Sequence, residues 1–149
     1  MNANEKIKHL STDTAFGILT RPALEIYLSE RKSHKPAILY ILDLNNIHRL
    51  NSLFGYTEVN RKVKLAIKGV RAYHPHLVFG RIFSGDEIAV IDSIKRVKSL
   101  QKILAFSFSP HGLSFKGTEI KIYFGKSITY YSKFLNEMSV QLTDHHKNI

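Results

Sequence analysis

One stretch constrains the fold of this chain more than any other. Ala37 to Leu42 is an unbroken apolar run, entered from Pro36 and left at Asp43. A short apolar run without alternation fits a strand covered on both faces rather than a half-buried one. The segments around it read as alternating helices and strands. Arg21 to Lys32 reads as a helix, with Pro22 in its first turn and Leu24, Tyr27 and Leu28 on one face. Asn46 to Phe54 reads as a short helix stopped by Gly55, and Glu58 to Tyr73 as a longer one with Val59, Val63, Ile67 and Val70 inward. Leu77 to Phe83 and Glu87 to Ile91 are two apolar runs joined into a hairpin by Ser84-Gly85-Asp86. Ser93 to Leu104 reads as a basic amphipathic helix. Leu113 to Phe115 and Glu119 to Tyr130 read as a second hairpin across Lys116-Gly117-Thr118, and Lys133 to Leu142 as a last helix. The strand–helix–strand–strand–helix–strand core predicts an α+β fold of ferredoxin-like or palm type. Its helices are expected on one face of an antiparallel sheet.

Composition narrows the function classes. The 149 residues, 44% of them hydrophobic, suffice for one domain with a real core. The absence of cysteine excludes a disulfide scaffold, a Cys-ligated zinc site, an iron–sulfur cluster and a thiol nucleophile. The apolar run at Ala37 is far shorter than the ~20 residues that span a bilayer, so no membrane span is expected. Residues 1–12 read as a polar extension without the apolar region of an export signal, and a cytoplasmic protein is expected. The net charge of +10 predicts anionic company: nucleotide phosphates, nucleic acid or an acidic protein surface.

Acids are scarce, 12 in all, so their placement is informative. Asp43 ends the buried strand, and Asp86 and Glu87 sit at the predicted hairpin. In a ferredoxin-like core these three carboxylates converge at one edge of the sheet. Two carboxylates, a main-chain carbonyl and substrate phosphates suit Mg²⁺, which takes hard oxygen ligands and bridges phosphates. Asp at a strand end and Gly-Asp in a turn are also ordinary loop chemistry. The paired histidines His74/His76 and His145/His146 lack a zinc-binding helix pattern, and no Walker or G-x-S-x-G motif is present.

These residues resemble the GGDEF domain of the diguanylate cyclase family. The hairpin reads Ser84-Gly85-Asp86-Glu87-Ile88, preceded by Arg81 at the family's spacing. Asp43-Leu44-Asn45-Asn46-Ile47-His48-Arg49-Leu50-Asn51, followed by Phe54-Gly55-Tyr56 and Val59-Asn60, follows the family's D-x-D-x-F-K-x-x-N-x-x-x-G-H-x-x-G-D segment. Asp13 to Arg21 echoes its opening D-x-L-T-G-L-x-N-R motif. Phe115-Lys116-Gly117 and Ile122-Tyr123-Phe124-Gly125 resemble its late hairpin and S-I-G strand. The resemblance covers residues 13 to 130 in order, and places a single GGDEF-like domain over residues 13–149 with an atypical C-terminal end.

The resemblance implies condensation of two GTP, or a related NTP, into a cyclic dinucleotide across a transient homodimer. It implies that Asp43, the carbonyl of Leu44 and Asp86 hold Mg²⁺ or Mn²⁺. Glu87 would assist the metal or deprotonate the 3′-hydroxyl. His48, Asn51, Asn60, Ser84 and Gly85 fall at nucleotide-binding positions. Departures from the family pattern are specific. Ser84 replaces the first signature glycine, Ile88 the phenylalanine, His48 a phosphate-contacting lysine, and Asn60 a guanine-pairing aspartate. An amide offers one acceptor oxygen where a carboxylate offers two. The family's Lys- and Arg-bearing A-L-Y-x-A-K-x-x-G-R-N segment has no clear counterpart. Its R-x-x-D product-inhibition motif is replaced by Pro75-His76-Leu77-Val78. Three readings stay open: a cyclase of low or altered activity, a degenerate domain that binds nucleotide or a protein partner, and a basic module that binds nucleic acid through faces such as Lys62, Lys64, Lys68 and Arg71 or Lys95, Arg96, Lys98 and Lys102.

Overall fold

The computed structural model describes residues 12–82, 86–94 and 98–147. Helix α1 (Arg21–Glu30) is followed by strand β1 (Ala37–Leu44) and helices α2 (Ile47–Phe54) and α3 (Tyr56–Tyr73). Strands β2 (Val78–Arg81) and β3 (Glu87–Asp92) come next, then helix α4 (Leu100–Phe108) with a 3-10 turn (Ser109–His111). Strand β4 (Phe115–Ile122) and helix α5 (Ile128–Lys147) complete the order. The strands form one sheet in the order β2-β3-β1-β4, with every neighbouring pair antiparallel. This is the expected α+β, ferredoxin-like arrangement.

β1 lies between β3 and β4 and serves two cores. Leu39 and Ile41 face Leu24 and Leu28 of α1 and Tyr131 and Leu135 of α5. Tyr40 and Leu42 face Val63 and Ile67 of α3 and Leu104 and Phe108 of α4. Leu39, Ile41 and Leu42 are wholly buried, each worth about 1.5–3 kcal/mol of apolar burial. Helices therefore cover both faces of the sheet, not one face as the element order suggests. The reason lies in β1 itself: successive side chains point to opposite faces, and all of them are apolar from Ala37 to Leu42.

The second hairpin does not form. Lys116-Gly117-Thr118 is the interior of β4, which pairs with β1 along its whole length. Gly117 sits opposite Leu42, and a methyl group there would lie 2.5 Å from Cζ of Tyr40. The glycine makes room for an aromatic ring rather than a turn. Leu113 precedes this strand, and the chain leaves the sheet after Ile122 to enter α5 at Ile128, five residues before the expected helix start at Lys133. The helix expected from Ser93 starts at Leu100, where the Ser99 side chain accepts a hydrogen bond from the Lys102 amide at 3.4 Å. Lys95 and Arg96 lie outside the described residues.

Two contacts secure the end of the sheet nearest the carboxylates. Leu19 bridges Gly80 on the free edge of β2, with its amide donating to Phe79 O and its carbonyl accepting from the Arg81 amide. That pairing covers an otherwise open edge. Arg21 donates to the carbonyls of Ile82 and Ser132 and to Asn136 Oδ1, at 3.0, 2.8 and 2.7 Å. It thereby ties α1 and α5 to Ile82, just beyond the end of β2. Among the described residues no helix is long and apolar enough to cross a membrane.

Candidate functional site

The register of the sheet places the charged residues. On β1, Asp43 follows Leu39 and Ile41 on the face covered by α1 and α5. Its cross-strand partners are Glu87 on β3 and Lys116 on β4. Side chains on such a rung stand about 4.5–5.5 Å apart at Cβ. One residue later the Leu44 amide donates to Asp86 O at 3.1 Å, so the start of the β3 segment is fastened to the end of β1. The Asn45 amide and side chain then donate to Ser114 O and Oγ, at 2.9 and 3.1 Å. Asn46 takes a left-handed conformation, φ 56°, that aims the chain into α2. Asn tolerates this region better than most residues.

A cleft of about 670 Å³ opens where these segments meet, lined by residues 43–49, Asp86 and Lys116. Burial pushes the Asp86 carboxyl above its ordinary range, and the neighbouring Asp43 charge pushes it further; His48 and Arg81 pull the other way. The N-terminus of α2 faces the same space. Its first turn carries no acid, Asn46 makes no side-chain cap, and the first bond back to Asn46 O comes from the Leu50 amide. The amides of Ile47, His48 and Arg49 therefore lack helical partners at the positive end of the helix dipole. Paired carboxylates beside a helix N-terminus and cationic side chains suit a divalent cation that carries a polyphosphate.

Asp43, Leu44, His48 and Asp86 are thus brought to one cleft. Glu87 stands beside Asp43 on the next strand without lining it. Among the described residues no three His, Asp or Glu side chains cluster tightly enough to form a metal cage. Asn51 lies one turn further along α2, half-buried, and its Oδ1 is a buried acceptor with no hydrogen-bond partner. Asn60 is half-buried on α3, and neither Asn lines the cleft. Ser84 and Gly85 lie outside the described residues. Lys116 and Arg49 are cleft residues that the sequence reading missed. The i, i+2 spacing of Lys116, Thr118, Ile120 and Ile122 was the available signal for a strand face, masked by the turn-like Lys-Gly-Thr.

An antiparallel β2-β3-β1-β4 sheet, covered on both faces and bearing paired carboxylates at the end of β1, defines a palm-type architecture. More narrowly, the fold is that of GGDEF domains. A microbial GGDEF domain studied with bis-(3′,5′)-cyclic di-GMP superimposes at TM-score 0.65 and 20% identity, over 87% of this chain and 94% of that one. The GGDEF domain of DgcB from Caulobacter crescentus, in complex with c-di-GMP, matches at TM-score 0.63 and 14% identity, over 93% and 88%. The diguanylate cyclase SiaD from Pseudomonas aeruginosa, in complex with its activator SiaC, matches at TM-score 0.66 and 16% identity, over 97% of this chain and 62% of that one. No family model and no curated protein matches the sequence.

Proposed function

We propose that this chain is a GGDEF-type domain, extending from residue 13, that binds GTP or a related nucleoside triphosphate in the Asp43–Asp86 cleft. It condenses two such molecules into a cyclic dinucleotide when two copies meet transiently. A cytoplasmic location fits that chemistry. The observation that carries the reading is the opposition of two carboxylates to an uncapped helix N-terminus in one cleft. A carboxylate such as Asp86, whose proton affinity the neighbouring Asp43 charge raises, belongs to a donor set that a divalent cation relieves. Asp43, the Leu44 carbonyl and Asp86 would hold Mg²⁺ or Mn²⁺, which would offset negative charge on the phosphates.

The chain's own residues have separate tasks. The first-turn amides of α2 and the side chains of His48 and Lys116 bind the phosphates. Glu87 takes the proton of the attacking 3′-hydroxyl as the new O–P bond forms at the α-phosphate and pyrophosphate leaves. Asn51 is assigned to the base amino group, a contact that requires its buried Oδ1 to turn towards the cleft it does not line. Asn60 presents one acceptor oxygen, which lowers discrimination for guanine by about 1–3 kcal/mol where a donor is left unpaired.

The substitutions at Ser84, His48 and Asn60 favour a second reading, a degenerate domain that binds nucleotide without turnover. Incubation of the purified protein with each NTP and Mg²⁺ or Mn²⁺, followed by mass spectrometry, separates the two. A cyclic product that disappears in Asp86→Ala supports the cyclase. Metal-dependent NTP binding with no cyclic product at high protein concentration establishes the degenerate domain. An absence of NTP binding refutes both.

A further inference from the structure

An unexplained surface lies away from the carboxylate cleft, between α3 and α4. The two helices touch at Gly69 and Ser107. A methyl on Gly69 would lie 2.6 Å from Ser107 Oγ, and that hydroxyl donates to Ala66 O at 2.7 Å. Beside this contact opens a groove of about 990 Å³, with Val70 and Ile103 among its lining residues. Tyr73 and Phe106, which also line it, are 82% and 83% exposed, and Ile94 is 51% exposed. Large apolar side chains left this open on one face mark an interaction site more often than scattered surface hydrophobics do.

The charge around the groove is one-sided. Lys98 and Lys102 line it, and none of its described lining residues is a carboxylate. Both lysines are exposed, and neither belongs to the proposed nucleotide cleft. An apolar floor between two helices, with cations beside it, has the form that accepts the apolar stripe of a third helix. The cations select the flanks of that helix. A nucleic acid would call for a track of cations along a backbone path, whereas this groove is chiefly apolar.

We propose that the α3–α4 groove docks an acidic amphipathic helix of a partner protein. The apolar stripe of that helix seats against Tyr73, Ile94, Ile103 and Phe106, and its carboxylates pair with Lys98 and Lys102. The proposal is independent of nucleotide binding.

The test uses the whole chain and a fluorescein-labelled probe peptide of about 18 residues, long enough to hold a helix. The probe has Leu at i, i+3, i+4 and i+7 and Glu at the flanking positions. Fluorescence anisotropy is compared with the same peptide carrying Lys for Glu, and with single-stranded oligo-dT. The acidic peptide should bind most tightly. Phe106→Ser should weaken it at least about tenfold, and Lys102→Glu about three- to tenfold, while Lys121→Glu on β4 leaves it unchanged. Phe106 is so exposed that its replacement leaves the core intact, which circular dichroism checks. Hydrogen exchange should slow in residues 69–74 and 100–107 when the peptide binds. Equal binding of the acidic and basic peptides, indifference to Phe106→Ser, or Phe106-dependent binding of oligo-dT tighter than that of the peptide would each overturn the proposal.

Discussion

The ring of Tyr40 on β1 lies over the backbone of Gly117 on β4, occupying the space a side chain at 117 would need. Gly117→Ala should therefore force the ring aside or part the two strands, at a cost of about 1–3 kcal/mol. Urea unfolding should show a lower midpoint with an unchanged slope. Pairing the change with Tyr40→Val should recover part of the loss, because the two residues share one volume.

Burial, followed by the nearby Glu119 charge, pushes the Tyr40 hydroxyl up to about 12 from its ordinary value of 10.0. The folded state thus holds this proton more tightly than the unfolded chain does. The resulting stability is fully present below pH 10, and is lost as pH rises from about 10 towards 12. Burial also raises the Tyr131 hydroxyl, so tyrosinate absorbance should show more than one late-titrating group, and the one belonging to Tyr40 should disappear in Tyr40→Phe. The same variant should also lose stability less steeply across that window.

Arg21 holds three acceptors from two other segments of the fold. Arg21→Met keeps much of the stem and removes the guanidinium. It should cost about 1.5–3 kcal/mol, in the range of hydrogen bonds made by a charged group. Thermal unfolding measures the loss. Limited proteolysis should find earlier cleavage between β2 and β3, because Ile82 loses its tether to α1 and α5.

Asp86 carries its charge against burial and against Asp43. In the absence of divalent cations, Asp86→Asn should raise the melting temperature at neutral pH, because the charged form is the one the fold disfavours. It should also abolish any stabilisation by NTP with Mg²⁺. A variant that melts like the parent in both conditions would contradict the paired-carboxylate site.

Lys116 stands on the rung of Asp43, at the cleft. Lys116→Met should weaken triphosphate binding about tenfold, the equivalent of one charge-assisted contact, while monophosphate binding changes little. Calorimetric titration with GTP and GMP distinguishes a phosphate-holding role from a general loss of the cleft.

Much of this was legible in the sequence, for physical reasons that differ by residue. The unbroken apolar run at Ala37 announced a central strand, and the scarcity of acids drew attention to Asp43 and Asp86. The two-sided covering was implicit in that same run, since a strand apolar on both faces needs a layer on each. β4 was not legible, because Gly117 has the local chemistry of a turn. What holds it in a strand is its pairing with β1, remote in sequence, where the ring of Tyr40 fills the space a side chain at 117 would need. Lys116 was hidden for the same reason: only the register with β1 brings it beside Asp43. The left-handed turn at Asn46 was equally silent, although it sets the direction of α2 and hence where the helix amides point.

The central position of β1 also has a consequence in time. Both of its hydrogen-bonding partners come much later in the chain, β3 beginning at Glu87 and β4 at Phe115. A chain made from its N-terminus therefore carries its most apolar strand with both edges unpaired until more than half of the sequence has been made, and with one edge unpaired until β4 follows. Non-local pairing of this kind folds slowly, and exposes sticky edges on the way. The same strand that organises the finished domain is the segment most in need of protection during synthesis.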